Sequence, residues 1–318
     1  MKGFKSLLLL AGLGLIAISS FAQDVKTARV VPPFNRQVPW EIDFNNKASI
    51  EVTLKETFGF VYAEVKLNGQ GPFRFLIDTG ADASIISYEL VKKLKLSPLE
   101  SRDRKFETSH KQATIHTALY LIEELALGEA TLKHVPFIAS DTASDDFQLL
   151  QGLEIEGVIG TNLFHDVILK LDLPENKLVI SHHDALSDKE VGELEVNNQY
   201  YLPVVKTKVK RKEGISEYDF LVDSGYSGYV KMPVCFKYKD RKQEDSIMTY
   251  DVFSQASAGF LSELDGVFMI GGKEIENPKV RYAIGDCEVK QRWGLIGTRF
   301  LKDQAISIDQ KNRRVIFH

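Results

Sequence analysis

The eight residues Gly157-Val158-Ile159-Gly160-Thr161-Asn162-Leu163-Phe164 return in near copy 137 positions later as Gly294-Leu295-Ile296-Gly297-Thr298-Arg299-Phe300-Leu301. The correspondence continues at the same spacing: Asp166 is matched by Asp303, Asp172 by Asp309, and Leu178-Val179-Ile180 by Val315-Ile316-Phe317. A second landmark repeats upstream. Phe73-Arg74-Phe75-Leu76-Ile77-Asp78-Thr79-Gly80-Ala81 is answered by Phe220-Leu221-Val222-Asp223-Ser224-Gly225, the two aspartates standing 145 positions apart. Two landmarks repeated in the same order describe one structural unit built twice, the second copy 8 residues shorter between them. A chain of 318 residues has room for two such units.

Each unit reads as β structure. Residues 50–54, 60–67 and 73–77 are short alternating stretches rich in β-branched and aromatic side chains, and Asn68-Gly69 between two of them is a hairpin signal. Residues 120–127, 132–139, 167–171 and 178–180 continue the pattern, and residues 200–209 and 217–222 resume it in the second half. One short helix is expected within residues 87–96, with Ser87 as its cap. The polar, uneven stretch 101–118 fits an exposed hairpin. Composition changes set the expected boundaries: 1–22, 23–48 (an extended lead-in or removable pro-segment), a first lobe 49–182, a charged linker 183–198 and a second lobe 199–318.

The first 22 residues have Lys2 and Lys5, an apolar run and Ser20-Phe21-Ala22, the layout of an export signal cut after Ala22; a retained anchor is the alternative. The expected location is therefore exported: periplasmic, outer-membrane-associated or extracellular, with no stable membrane insertion after cleavage. Formal charge is −4, and removing the two lysines of the leader makes it −6. Mild acidity without a basic cluster argues against a nucleic-acid partner. Cys235 and Cys287 leave two options open, one disulfide or two buried thiols. No metal is expected: the acidic loop 141–146 lacks the pattern of a calcium site, and His182-His183-Asp184 point to opposite sides of an extended chain.

The aspartates carry the chemistry. An acid that follows a run apolar on both faces ends an interior strand, so its carboxyl is delivered to a buried or interface position. The glycine after it permits a tight turn and close approach of a partner loop. A neighbouring hydroxyl and backbone N–H groups fix the carboxyl's orientation. Two such loops facing across a two-fold axis bring two carboxyls together, and these share a proton because both cannot readily ionise. One then acts as base toward water and the other as acid toward a carbonyl oxygen. A serine mechanism lacks its elbow around Ser224, and His110, His116, His134 and His165 are scattered.

Asp78-Thr79-Gly80-Ala81 with Ser84-Ile85-Ile86, and Gly157-Val158-Ile159-Gly160-Thr161-Asn162-Leu163, resemble the two diagnostic motifs of retropepsin-like aspartic proteases. The resemblance covers residues 50–182 closely and 200–318 more loosely, in a form with both lobes in one chain. It implies an all-β fold of two pseudo-two-fold-related retropepsin-like β-barrel lobes with short helices, a cleft between them and a flap hairpin over a peptide. It further implies an aspartic endopeptidase without cofactor, acting on a polypeptide, for which a monomer is sufficient. Asp78 and Asp223 take the catalytic positions, and Thr79, Gly80, Ser224 and Gly225 those that orient the loops. Ala81, Tyr226, Ser109 and His110 become the cleft candidates. Two departures stand out. Tyr226 occupies a position that the family gives to a small or hydroxyl residue, so its ring must line the cleft or tilt the loop. The flap expected at 106–115 lacks the family's glycines. These departures keep a second reading in view, a catalytically weak or inactive peptide- or glycan-binding protein on the same fold.

Overall fold

The computed structural model describes residues 40–107, 112–140, 150, 152–183, 192–196, 202–233, 245–250, 256–283 and 293–318. The expected leader, residues 23–39 of the lead-in, the acidic loop 141–146, Ser109, His110, Cys235, Cys287 and most of the linker lie outside them. The described chain is all-β, in two lobes, with three sheets.

The first half runs β1 (Glu41–Asp43), β2 (Ser49–Thr53), β3 (Lys55–Thr57), β4 (Phe60–Leu67), β5 (Gln70–Asp78) and β6 (Ile85–Ile86). After helix α1 (Tyr88–Leu94) come β7 (Pro98–Glu107), β8 (Gln112–Leu127), β9 (Ala130–Ser140), β10 (Gly157–Gly160), β11 (Ile168–Asp172) and β12 (Lys177–Ser181). Strands β9, β6, β10, β5, β4 and β8 pair in that order, and β8 returns to β9, closing a barrel without a free edge between them. Helix α1 starts where the sequence predicts, the Ser87 hydroxyl accepting the Leu90 N–H at 3.2 Å, and buries Leu90 and Val91. Strand β1 pairs with β9 through Glu41 to Asp43, although it falls within the expected lead-in.

The second half comprises β13 (Glu193–Glu195), β14 (Val204–Arg211), β15 (Gly214–Val222), β16 (Val230–Lys231), β17 (Asp245–Tyr250), β18 (Ala256–Glu263), β19 (Val267–Ile270) and β20 (Lys273–Glu276). It ends with β21 (Lys279–Ala283), β22 (Gly294–Ile296), helix α2 (Thr298–Leu301), β23 (Ala305–Asp309) and β24 (Arg314–Phe317). The pairing order repeats that of the first lobe with one change. Where β8 is one strand of 16 residues, its counterpart is broken into β18 and β19, and β9 likewise into β20 and β21. The break has a cause in the sequence. Pro278 has no N–H to offer and serves only as acceptor for Leu264, while Gly266 takes φ +153°.

The third sheet, in the order β13, β24, β23, β11, β12, β2, contains strands from both halves. At its centre β11 and β23 are antiparallel, with Ile168 opposite Asp309, Lys170 opposite Ser307 and Asp172 opposite Ala305. Shifting either strand by the 137-residue repeat maps this set of pairs onto itself, so the pseudo-two-fold axis passes between Lys170 and Ser307. It is a self-complementary contact of the kind that joins identical subunits, made here within one chain. Leu169, Leu171, Ile306 and Ile308 are buried on this sheet and connect the cores of the two lobes into one cluster.

Leu171→Ala and Ile306→Ala should therefore each lower unfolding free energy by about 2–5 kcal/mol. Both lobes should still unfold together. The check is denaturant unfolding followed by Trp40 or Trp293 alone, one tryptophan in each half, with coincident midpoints expected.

Candidate active site

Asp78 is the last residue of β5, and Asp223 directly follows β15. Each of these strands is flanked by a parallel one, β10 against β5 and β22 against β15. The first glycine of the repeated Gly-apolar-apolar-Gly motif has a packing role in both lobes. A Cβ on Gly157 would run into the ring of Phe75, and one on Gly294 into the ring of Phe220. The motif thus lies flat behind the aspartate strand, and its next residue ties down the turn. The Thr161 N–H donates to the Ala81 carbonyl at 2.8 Å, and the Thr298 N–H to the Tyr226 carbonyl at 2.9 Å.

The two turns match bond for bond. The Gly80 N–H donates to Asp78 Oδ1 at 2.8 Å, and the Gly225 N–H to Asp223 Oδ1 at 2.9 Å. Between the lobes the bonding is reciprocal. The Thr79 N–H donates to Ser224 Oγ at 2.9 Å, and the Ser224 N–H to Thr79 Oγ1 at 3.0 Å. Each hydroxyl then donates across the interface, Thr79 Oγ1 to the Val222 carbonyl at 2.7 Å and Ser224 Oγ to the Ile77 carbonyl at 2.6 Å. All four bonds are buried, so none competes with water. Gly80 faces the Asp223 carboxyl and Gly225 faces the Asp78 carboxyl so closely that a Cβ on either would overlap it.

The structure thus brings together Asp78, Thr79, Gly80, Asp223, Ser224 and Gly225, six of the residues singled out by sequence. Burial raises the Asp78 pKa, opposed by hydrogen bonds from Gly80 and the Asp223 side chain. The Asp223 pKa is pushed further up, first by burial and then by the Asp78 charge, with Lys231 pulling the other way. Both carboxyls are thus pushed toward their protonated forms, and because close charges oppose each other the two titrate as one pair that shares a proton.

Tyr226 resolves one of the alternatives. Its turn keeps the hydrogen bonds of the first lobe: the Tyr226 N–H donates to the Asp223 carbonyl at 3.2 Å as the Ala81 N–H does to the Asp78 carbonyl at 3.3 Å. The ring does not tilt the loop. It folds back over Gly228 and Gly297, where any side chain would collide with it, and packs with Trp293 against Leu202, Val204, Leu221 and Leu295. Burial raises its phenol to about 12, Arg281 opposing, so it stays neutral. Ala81 occupies the corresponding place against Leu76, Ile85, Leu150, Ile155 and Val158. Ser109 and His110 lie outside the described residues; the hairpin that carries them, β7 with β8, is paired up to Glu107 and Gln112.

Two features escaped the sequence reading. Ser84 Oγ accepts the Gly160 N–H at 3.1 Å and donates to Asn162 Oδ1 at 2.9 Å, stitching the motif to the loop in the first lobe only. In the second lobe the Tyr229 carbonyl accepts the Gly297 N–H instead. Lys231 and Arg281 are buried register partners on β16 and β21. Lys231 stands 145 positions after Ile86, so aligning the repeat residue by residue would have flagged a cation in a core position.

The described chain is a two-lobed β fold with a carboxyl pair on matched, interlocked turns. Residues 63–163, which span the first aspartate and the first Gly-apolar-apolar-Gly motif, match the aspartyl protease family in its retropepsin-like form. A comparison with curated proteins gave no match. Among the described residues, no cluster of His, Cys, Asp and Glu is arranged to hold a metal, and no helix is long and apolar enough to cross a membrane.

Removing one hydroxyl leaves buried partners unpaired. Thr79→Ala and Ser224→Ala should each cost roughly 1–3 kcal/mol, whereas Thr79→Ser should cost much less, as read by denaturant unfolding. A second expectation concerns pH. The folded pair keeps its proton where unfolded carboxyls have lost theirs, so folding weakens as pH rises from the ordinary carboxylate range through the raised values. Asp223→Asn, which cannot ionise, should melt above the wild type at neutral pH, and the gap should close in acid.

Proposed function

We propose that the chain is an aspartic endopeptidase that hydrolyses polypeptides in the cleft between its lobes. The observation that carries this reading is the carboxyl pair itself, buried, facing across the pseudo-two-fold axis on reciprocally bonded turns, with burial pushing both carboxyls up. The ionised carboxyl of the Asp78–Asp223 pair is the base that takes a proton from a water lying between them. The protonated one donates its proton to the carbonyl oxygen of the scissile bond as the water oxygen adds to carbon. The resulting gem-diol collapses with expulsion of the amine, which takes up a proton from the pair. Hydroxyls and glycines of the two turns hold this geometry without touching substrate. Tyr226, which leaves the second turn unaltered, gives no reason to prefer a binding protein without activity. The leader-like residues 1–22 support an exported protein acting outside the cytoplasm.

The test is hydrolysis of an unfolded protein or a mixed peptide library by residues 23–318. The rate should be bell-shaped in pH with its maximum on the acid side, since one carboxyl must be ionised and the other protonated. Asp78→Asn and Asp223→Asn should each lower it by at least about a thousandfold. Cleavage surviving both substitutions would remove the carboxyl pair from the chemistry.

A further inference from the structure

Strands β3 and β4 are joined by the two residues Phe58-Gly59, with Thr57 opposite Phe60. Both residues of the turn have positive φ, 51° and 84°. This is the two-residue hairpin turn that favours Asn-Gly, and the chain uses that pair for its next hairpin, Asn68-Gly69 at 49° and 74°. Half of the ten non-glycine residues at positive φ among the described residues are asparagine, and Phe58 is the single apolar one. A bulky aromatic is poorly suited to the left-handed region. Phe58 is also 80% exposed, the highest value among the exposed large hydrophobic side chains described. Backbone conformation and the hydrophobic effect therefore both disfavour phenylalanine here. Neither turn formation nor core packing accounts for it.

The position of the turn suggests what does. The Gly59 carbonyl accepts a hydrogen bond from Thr298 Oγ1 in the second lobe at 2.5 Å. A Cβ on Gly59 would lie 3.1 Å from Cβ of Ser227. Ser227 follows Tyr226 on the Asp223 turn, and the Thr298 N–H is bonded to the Tyr226 carbonyl. The first lobe thus seats this turn on the second lobe's aspartate loop and leaves the aromatic ring in solvent beside it. Strain kept at one residue next to a candidate site is grounds for a functional reading.

We propose that Phe58 reads the substrate: its ring packs against an apolar side chain of an extended polypeptide lying in the cleft. This inference rests on the polypeptide reading of the cleft given above.

The experiment uses Phe58→Asn, which supplies the residue the turn prefers, in the Asp78→Asn protein, which binds without cutting. A library of extended peptides is captured and sequenced for each protein, and affinity is measured for the best peptide. With Phe58 present, an apolar residue should be enriched at one position. In Phe58→Asn that enrichment should vanish and affinity should fall about tenfold, with the melting temperature unchanged or higher. Selectivity and affinity that survive the substitution would overturn the proposal, whichever way the melting temperature moves. Failure of the Phe58-containing protein to capture any peptide would overturn it too. Loss of hydrolysis in the wild type with capture intact would count against the peptidase reading alone.

Discussion

Two carboxyl groups do not stay together in a water-poor place unless something else holds them there, because each raises the free energy of the other's charged form. Here the holding is done by neutral groups. Reciprocal bonds between Thr79 and Ser224 fix one turn to the other, the Gly80 and Gly225 amides fix each carboxyl to its own turn, and glycine at both positions lets the carboxyls approach. Behind the turns, the Gly-apolar-apolar-Gly strands lie close because Gly157 and Gly294 leave room for Phe75 and Phe220. Further out, β11 and β23 set the two halves in register. Each layer makes sense only if the next one inward is kept rigid.

The lobes are alike near the pair and diverge with distance from it. Within the turns the hydrogen bonds correspond one to one. One shell out, Ser84 is replaced by the Tyr229 backbone, Ala81 by Tyr226 and Ile86 by Lys231. At the far wall the closed first barrel has an interrupted counterpart at Leu264 to Gly266. This gradient is what a shared geometric requirement at the axis would leave behind, since substitutions there disturb both carboxyls while those at the wall disturb packing in one lobe.

Much of this was legible in the sequence. The strands around Asn68-Gly69, the capped helix at Ser87 and the duplicated motifs are local signals, written in turn chemistry and periodicity, and they recur in the structure. The pairing of Asp78 with Asp223 was legible only because the repeat implies an axis. What could not be read was whatever depends on which lobe a segment joins. Glu41 to Asp43 has no strong strand pattern, yet it pairs with β9 because that edge is available. The mixed sheet uses β2 and β13, short segments whose partners lie far away in the chain. Tyr226 was ambiguous for the same reason: the direction of its ring is decided by the absence of side chains at Gly228 and Gly297, 2 and 71 positions away.

The self-complementary register of β11 and β23 is the contact of a symmetric dimer carried inside one polypeptide. Its second half is tethered, so the encounter that completes the carboxyl pair does not depend on protein concentration. A molecule built this way stays assembled at any dilution. It also escapes a restriction on dimers of identical chains, in which every substitution is made twice, once on each side of the axis. Ala81 and Tyr226 can differ here because each belongs to only one side.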